Sequence, residues 1–249
     1  MSRLTVRLLG KKVRVTSRRK RALALLDEVT DRFVATYGVP LLGNRPNPVD
    51  ELFYILLSAR TPETRYLRIH RELRKRFPRL EDLAAASIRD LRSCIHDAGL
   101  ANKRAPQIKE IARRLRQRFG QKAAFALRRM SAGDAYSFLL RLPGIAAKSA
   151  LCVMMYSLGW DVFPVDVHAR RIATRLGVLA KGLDHRGAQA LLPAVVPEGR
   201  SKELHVGFVL HGREVCLPRR PACESCMLVD LCRFGRAELN RRCRPSAHA

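Results

Sequence analysis

Residues 142–160 read LPGIAAKSALCVMMYSLGW, and this stretch decides how the chain around it folds. A Pro-Gly pair lies at its start, and an apolar run follows that ends at about Gly159. Proline and glycine mark turns, whereas an apolar run of this length is typical of a buried helix. The preceding segment, which Ser131 opens, is expected to end as a helix near Arg141. The sequence therefore predicts two helices joined by a tight hairpin.

The hairpin carries one charged residue, Lys148, among apolar neighbours such as Ile145 and Ala150. A helix entered through a glycine-bearing turn presents unpaired backbone N–H groups, which together with the helix dipole favour a phosphate. The same spacing is equally typical of an ordinary corner between two helices. Either the aliphatic part of the lysine side chain packs on the edge of the core, or the amine is partly shielded from water and acts as a nucleophile.

Asp166 follows in the stretch FPVDVHARR, before a new helical pattern. Its position fits an N-cap aspartate, which needs no further role. A carboxylate near a lysine, in a chain with 48 Lys and Arg against 22 Asp and Glu, also suits lyase chemistry on DNA. The amine attacks the sugar C1′ atom and forms a Schiff base, while the carboxylate steadies positive charge or assists proton transfer. Capping and catalysis both remain open at this point.

The rest of the chain shows helical periodicity from about residue 19 and no alternating strand pattern. One apolar stripe in residues 63–77 consists of Tyr66, Ile69, Leu73 and Phe77. The stretches SIRD (87–90) and SAGD (131–134) are typical of capping boxes, with serine as the N-cap. The sequence therefore predicts an all-α fold.

The chain is strongly basic, with 48 Lys and Arg against 22 Asp and Glu and a net charge of +26. This surplus indicates a polyanionic partner. No apolar stretch approaches the roughly 20 residues that span a bilayer, and no amphipathic anchor favours an acidic membrane surface, so nucleic acid is expected. Residues 1–20 form a basic arm that either touches DNA or is merely solvated. A transit peptide for an organelle is the alternative interpretation of the same composition.

Seven cysteines are present, and four of them follow the spacing C-x6-C-x2-C-x5-C: Cys216, Cys223, Cys226 and Cys232. Four thiolates this close hold zinc or an iron–sulfur cluster, and their chemistry alone does not choose between them. Two disulfides are the third alternative. Cys94 and Cys152 are expected to be small core residues, and Cys243 also lies outside the motif.

LPGIAAKSA together with VDVH resembles the helix-hairpin-helix and Gly/Pro/Asp signature of the endonuclease III superfamily of DNA glycosylases. The cysteine run, with FVLHGREVC before it, is similar to the [4Fe–4S] motif of the same family. The resemblance implies that Lys148 is the Schiff-base nucleophile, that Asp166 is the essential aspartate and that the four cysteines bind the cluster. An adenine-excising relative would lack this lysine and would carry a glutamate where FYILLSAR has none.

The resemblance also implies which residues contact DNA: Arg60, Leu100, Asn102, Lys103, Leu142, Gly144, Ala146 and His168. Leu100, in DAGLANKRA, matches the family's wedge loop. Arg60, in LLSARTPET, stands where the family has a gap-filling glutamine, and Ala146 stands where its hairpin has a second glycine. A positive φ at Ala146 would cost about 1 kcal/mol relative to glycine.

The resemblance covers residues 22–235 and implies two helical domains with a DNA cleft between them. A six-helix module (45–160) would carry the hairpin, and residues 21–44 with 161–249 would form a four-helix iron–sulfur domain. Lys148 and Asp166 would face each other across the cleft.

The implied enzyme is a monomeric glycosylase and AP lyase acting on double-stranded DNA with oxidised pyrimidines or abasic sites. A bacterial chain of this kind would lie in the cytoplasm, associated with the nucleoid. The alternatives are a damage-binding protein of the same fold, with weak or abasic-site-only cleavage, and a zinc-holding DNA-binding module.

Overall fold

The computed structural model describes residues 17–242, which are helical and contain no strand. This confirms the all-α prediction. Of the predicted basic arm, residues 1–16 lie outside the described residues, as does Cys243, whereas residues 17–20 form the first turn of a helix. None of the helices within residues 17–242 combines the length and apolarity that a bilayer crossing requires.

The described chain separates into two compact units. We call Gly43–Trp160 the hairpin unit, and the described parts of Met1–Leu42 and Asp161–Ala249 the cysteine unit. The α-helices in chain order are α1 (Ser17–Tyr37), α2 (Pro48–Ser58), α3 (Glu63–Arg76), α4 (Leu80–Ala85), α5 (Ile88–Cys94), α6 (Ala101–Phe119), α7 (Ala123–Arg129), α8 (Ala132–Leu140), α9 (Ala147–Ser157), α10 (Val167–Leu176), α11 (His185–Leu191), α12 (Ser201–Glu214) and α13 (Arg233–Arg242).

The hairpin unit contains the eight helices α2–α9, two more than the predicted six. Two short interruptions account for the difference. Ser87 caps a new helix directly after α4, and the 3₁₀ turn Gly120–Lys122 separates α6 from α7. The described part of the cysteine unit contains α1 and α10–α13, one helix more than the predicted four.

Helices α2 and α9 form the centre of the hairpin unit and pack against each other. Asn47 begins α2, because its side-chain oxygen accepts the Val49 backbone N–H at 2.9 Å, and Pro48 provides the fixed φ of a first turn. Most side chains of α2 are buried, as are those from Ala150 to Met155 in α9. Helices that are apolar on most faces are stable only inside a core.

The local predictions for this unit are confirmed. The stripe Tyr66, Ile69, Leu73 and Phe77 is buried. The hydroxyls of Ser87 and Ser131 accept the backbone N–H three residues later, at 3.0 and 3.1 Å. Both serines are therefore N-caps.

The core of the cysteine unit depends on the close approach of α1 and α12. Phe33 of α1 is fully buried and meets the Phe208 ring edge-on, with 5.7 Å between the ring centroids. Gly207 of α12 permits this approach, since a Cβ at that position would lie 2.2 Å from Phe33 Cδ2. The Phe33 ring is held by packing on several sides and has no room to retreat.

We predict that Gly207→Ala lowers the free energy of unfolding by about 2–3 kcal/mol, because the added methyl overpacks Phe33. The matched control is Gly133→Ala in α8, where nothing lies within 4 Å of the added methyl. That exposed substitution should be neutral or stabilising by up to about 1 kcal/mol. Urea unfolding followed by circular dichroism measures both, and equal stabilities for the two variants would contradict the prediction.

Candidate active site

The hairpin forms as predicted, with α8 ending at Leu140 and α9 beginning at Ala147. The residue with a left-handed backbone is Gly144, at φ +81°. Ala146 is the N-cap of α9 and is extended, at φ −99° and ψ 174°. The cost that a positive φ would bring at Ala146 therefore does not arise, because the left-handed residue of the turn lies two positions earlier, at Gly144.

Lys148 is the second residue of α9 and is half-buried. No side chain caps the N-terminus of this helix, and its first turn holds no acidic residue. The first-turn N–H groups, the positive end of the helix dipole and the lysine together favour an anion at this point. Lys148 therefore lies beside a helix start that is suited to an anion.

A buried carboxylate, Glu51 of α2, interacts electrostatically with Lys148. Glu51 has no exposed surface, and its two oxygens accept the Asn44 side-chain N–H at 2.5 Å and the Arg45 backbone N–H at 2.6 Å. Burial raises the pKa of Glu51 to about 7, although these hydrogen bonds and the charges of Arg45 and Lys148 oppose the shift. The carboxyl therefore changes its charge near neutral pH, within the electrostatic reach of Lys148.

Two loops of the hairpin unit carry exposed residues in left-handed conformations. Arg60, after α2, has φ +54°, and Leu100, before α6, has φ +65° with half of its surface exposed. The loops touch, because a Cβ at Gly99 would lie 3.0 Å from the Arg60 carbonyl oxygen. Asn102 and Lys103 are exposed on the first turn of α6. These residues form one continuous patch of the hairpin unit.

The hairpin turn also contacts α6. A Cβ at Gly144 would lie 2.7 Å from the side chain of Gln107. Leu142 is buried beneath the turn, and its carbonyl accepts the Ile145 N–H at 3.2 Å. Helix α6 therefore borders both the Gly144 turn and the Leu100 loop.

Asp166 lies in the cysteine unit and caps α10, where its Oδ1 accepts the Ala169 N–H at 2.7 Å. His168 follows on the first turn, half-buried, with its Nδ1 atom 3.1 Å from the Arg171 guanidinium. Desolvation lowers the pKa of His168, and the Asp166 charge opposes this effect. A Cβ at Gly212 of α12 would lie 2.4 Å from His168 Nδ1, so this glycine makes room for the ring.

The four cysteines of the motif line one pocket, together with residues of α10, α12 and α13. Arg175 donates to Cys216 Sγ at 3.0 Å and lies over the Phe234 ring. His211 is buried between the Tyr37 hydroxyl, at 3.1 Å from Nδ1, and Cys226 Sγ, at 3.4 Å from Nε2. Desolvation lowers the pKa of His211 to about 4, so it is neutral at pH 7.

The four thiols offer the sulfur ligands that an iron–sulfur cluster or a zinc ion would need. Within residues 17–242, no three His, Cys, Asp or Glu side chains converge on a site for a single metal ion. Zinc would draw four sulfurs to about 2.3 Å from one centre, whereas a four-iron cluster holds its thiolates further apart. Cationic and N–H donors also surround the sulfurs, as a negatively charged cluster with thiolate ligands requires.

The structure brings the predicted site residues together in two groups. The hairpin unit holds Lys148 and the predicted DNA contacts, apart from His168. The cysteine unit holds Asp166, His168 and the four cysteines.

Four residues with evident local roles are absent from the predicted site: Glu51, Arg104, Arg175 and His211. Only His211 had a signal in the sequence, since it lies in FVLHGREVC just before the first cysteine of the motif.

Comparison with known proteins agrees with this geometry. The model of the HhH-GPD superfamily of base excision DNA repair proteins matches residues 54–197. Endonuclease III of Thermotoga maritima is 27% identical over 222 residues, which cover 88% of this chain and 99% of that protein. Endonuclease III of Escherichia coli K12 is also 27% identical, over 78% of this chain and 92% of its own length.

Solved structures show the same fold. A trapped covalent complex of endonuclease III with DNA superposes with a TM-score of 0.76 at 22% identity and covers 91% of this chain and all of that one. A thermostable thymine-DNA glycosylase gives a TM-score of 0.71 and covers 88% of this chain and 97% of its own.

We predict that Glu51→Gln changes the pH dependence of stability. The pKa of Glu51 is 4.5 when unfolded and about 7 when folded, so the folded state binds more protons in this range. The contribution of Glu51 to the free energy of unfolding is fully present below pH 4.5 and is lost as the pH rises through 7. The free energy of unfolding of the glutamine variant, relative to that of the wild type, should therefore rise by on the order of 2 kcal/mol from pH 5 to pH 8. Urea unfolding at both values measures this gain, and a pH-independent difference would contradict it.

Proposed function

Because the chain belongs to the HhH-GPD superfamily of base excision DNA repair proteins, we propose that it is a bifunctional DNA glycosylase and AP lyase with Lys148 as its nucleophile. Its substrate would be double-stranded DNA that contains an oxidised pyrimidine or an abasic site, and the chain would act as a monomer. The observation that carries this proposal is a half-buried lysine on the first turn of the hairpin helix, directly after the Gly144 turn.

The reaction proceeds through covalent attachment of Lys148 to the sugar. The unprotonated amine attacks C1′, the C1′–N bond to the damaged base breaks, and the sugar ring opens to give a Schiff base. Loss of a C2′ proton then expels the 3′ phosphate by β-elimination, and hydrolysis of the Schiff base releases the lysine.

Asp166 supplies the negative charge for the glycosylase step. A carboxylate steadies the positive charge that develops on the sugar as the base departs. Its cap on α10 fixes the carboxylate, since Oδ1 is held by the Ala169 N–H. Whether Lys148 and Asp166 face one cleft remains a prediction from the resemblance.

The loops of the hairpin unit are proposed to open the duplex. A glycosylase must extrude its target nucleotide and fill the vacated space. Leu100 would act as the wedge, and Arg60 would fill the gap or bind the orphaned base. Phosphate contacts are proposed for the α6 start, the hairpin turn and His168, namely Asn102, Lys103, Gly144, Ala146 and His168. Leu142, which the resemblance also implies, is buried and donates its N–H to the Leu139 carbonyl, so it supports the turn instead.

The four cysteines of the motif are proposed to bind a [4Fe–4S] cluster. When bound, the cluster would cross-link four thiolates and so fix the loop between α12 and α13. Arg175 would remain as a hydrogen-bond donor to Cys216 Sγ, and His211 would remain beside Cys226 Sγ. The proposal is supported by the pocket that the four cysteines share and by the resemblance of their spacing to the cluster motif of the family.

We predict that borohydride traps a covalent adduct between the wild-type chain and a duplex with an abasic site. Lys148→Ala should reduce this adduct at least about 100-fold, because no other amine replaces the nucleophile. Lys122→Ala removes an exposed lysine of the same unit and should trap like the wild type. Denaturing gels measure the adduct, and retention of it in Lys148→Ala would disprove the assignment. Cleavage of abasic sites only, in a panel of single-lesion duplexes, would disprove the glycosylase step.

We predict that the purified chain contains about four irons and absorbs broadly near about 400 nm. Cys226→Ser should lose most of the iron, whereas Cys94→Ser, outside the motif, should keep it. Metal analysis and the visible spectrum measure both variants. One zinc per chain and a colourless protein would overturn the cluster assignment.

A further inference from the structure

Arg104 is a buried cation beside the two exposed loops of the hairpin unit. It lies on the first turn of α6, and only 3% of its surface is exposed. Its guanidinium donates to the Leu57 carbonyl at 3.0 Å, to Thr61 Oγ1 at 3.0 Å and to the Ala59 carbonyl. All three acceptors belong to the end of α2 and the loop that follows it.

These acceptors explain why an arginine is needed. The last carbonyls of a helix have no partner within it and carry the negative end of its dipole. At the end of α2 the left-handed position is occupied by Arg60, where helices usually have glycine. A planar guanidinium can bind several diverging acceptors at once, which an ammonium or an amide cannot do equally well.

Arg104 also forms a backbone hydrogen bond with Leu100. The backbone N–H of Arg104 donates to the Leu100 carbonyl at 2.9 Å. Gly99, next to Leu100, touches the carbonyl of Arg60. Arg104 therefore joins the two loops, and both exposed residues are in conformations that cost free energy for any residue with a Cβ.

We propose that Arg104 is a positioning residue that holds Arg60 and Leu100 together, in the left-handed conformations with which they enter the duplex. This role rests on the proposed function, because it presumes that the two loops meet DNA. Arg104 itself is buried and touches neither phosphate nor base. Its contribution reaches DNA only through the residues that it fixes.

The test uses Arg104→Gln in the full chain, with a duplex that carries a stable abasic analogue opposite 2-aminopurine. The fluorescence of 2-aminopurine rises when this base is unstacked from its neighbours in the duplex. Fluorescence anisotropy gives the Kd of the complex across a series of salt concentrations. The variant should lose most of the fluorescence rise and bind roughly tenfold more weakly. The slope of log Kd against log salt should stay unchanged, because no phosphate contact is lost.

The matched control is Arg116→Gln, which removes an exposed charge from the same helix. It should keep the wild-type fluorescence rise. Gly99→Ala provides the second variant, because its methyl presses on the Arg60 carbonyl while Arg104 stays in place. It should reproduce the loss of fluorescence. Circular dichroism and thermal unfolding verify that each variant is folded.

Three results would overturn the proposal. The first is that folded Arg104→Gln shows the wild-type rise in 2-aminopurine fluorescence. The second is that its slope of log Kd against log salt is reduced. If Arg104→Gln does not fold, the third is that Gly99→Ala shows the wild-type rise in fluorescence. Borohydride trapping distinguishes this failure from failure of the proposed function. A wild-type chain that opens the duplex without forming an adduct would refute the lyase mechanism and leave the role of Arg104 intact.

Discussion

The packing of α2 against α9 is the contact on which the rest of the hairpin unit depends. Both helices are apolar on most of their surface, so each is stable only when the other covers it. The Gly144 turn fixes where α9 begins and therefore places Lys148 on its first turn. The core that holds the helix also keeps its lysine half-buried.

The same packing buries a charge close to the lysine. Glu51 has no exposed surface and is retained through two hydrogen bonds from the segment before α2. A buried carboxyl without such partners would be costly. Because its ionisation falls near neutrality, Glu51 can change the electrostatic surroundings of Lys148 without contacting the substrate.

Local features were predictable from the sequence because their determinants lie within a few residues. Ser131 and Asp166 each cap a helix through the N–H three residues later, and this spacing is visible in the sequence. Membership of the family was also visible, in the hairpin and the cysteine spacing. The helix count was predicted less well, although the break at Gly120–Lys122 has a local signal, since Gly120 has a positive φ of +57° and ends α6.

The buried charged residues Glu51 and Arg104 could not be predicted from local sequence patterns. Arg104 bonds to Leu57, 47 residues earlier, so neither position signals the other in the sequence. The cost that a positive φ would bring at Ala146 does not arise, for a related reason. The family pattern suggests a second glycine, but the backbone conformation of this turn requires glycine only at Gly144.

The central claim is that Lys148, fixed at the start of α9, forms the covalent bond to DNA. Mass spectrometry of the borohydride-reduced complex, after nuclease and trypsin digestion, tests this most directly. We expect the sugar remnant on Lys148, in a peptide that begins at Leu142 and is uncut after the modified lysine. A remnant on another lysine or on the N-terminal amine would contradict the account.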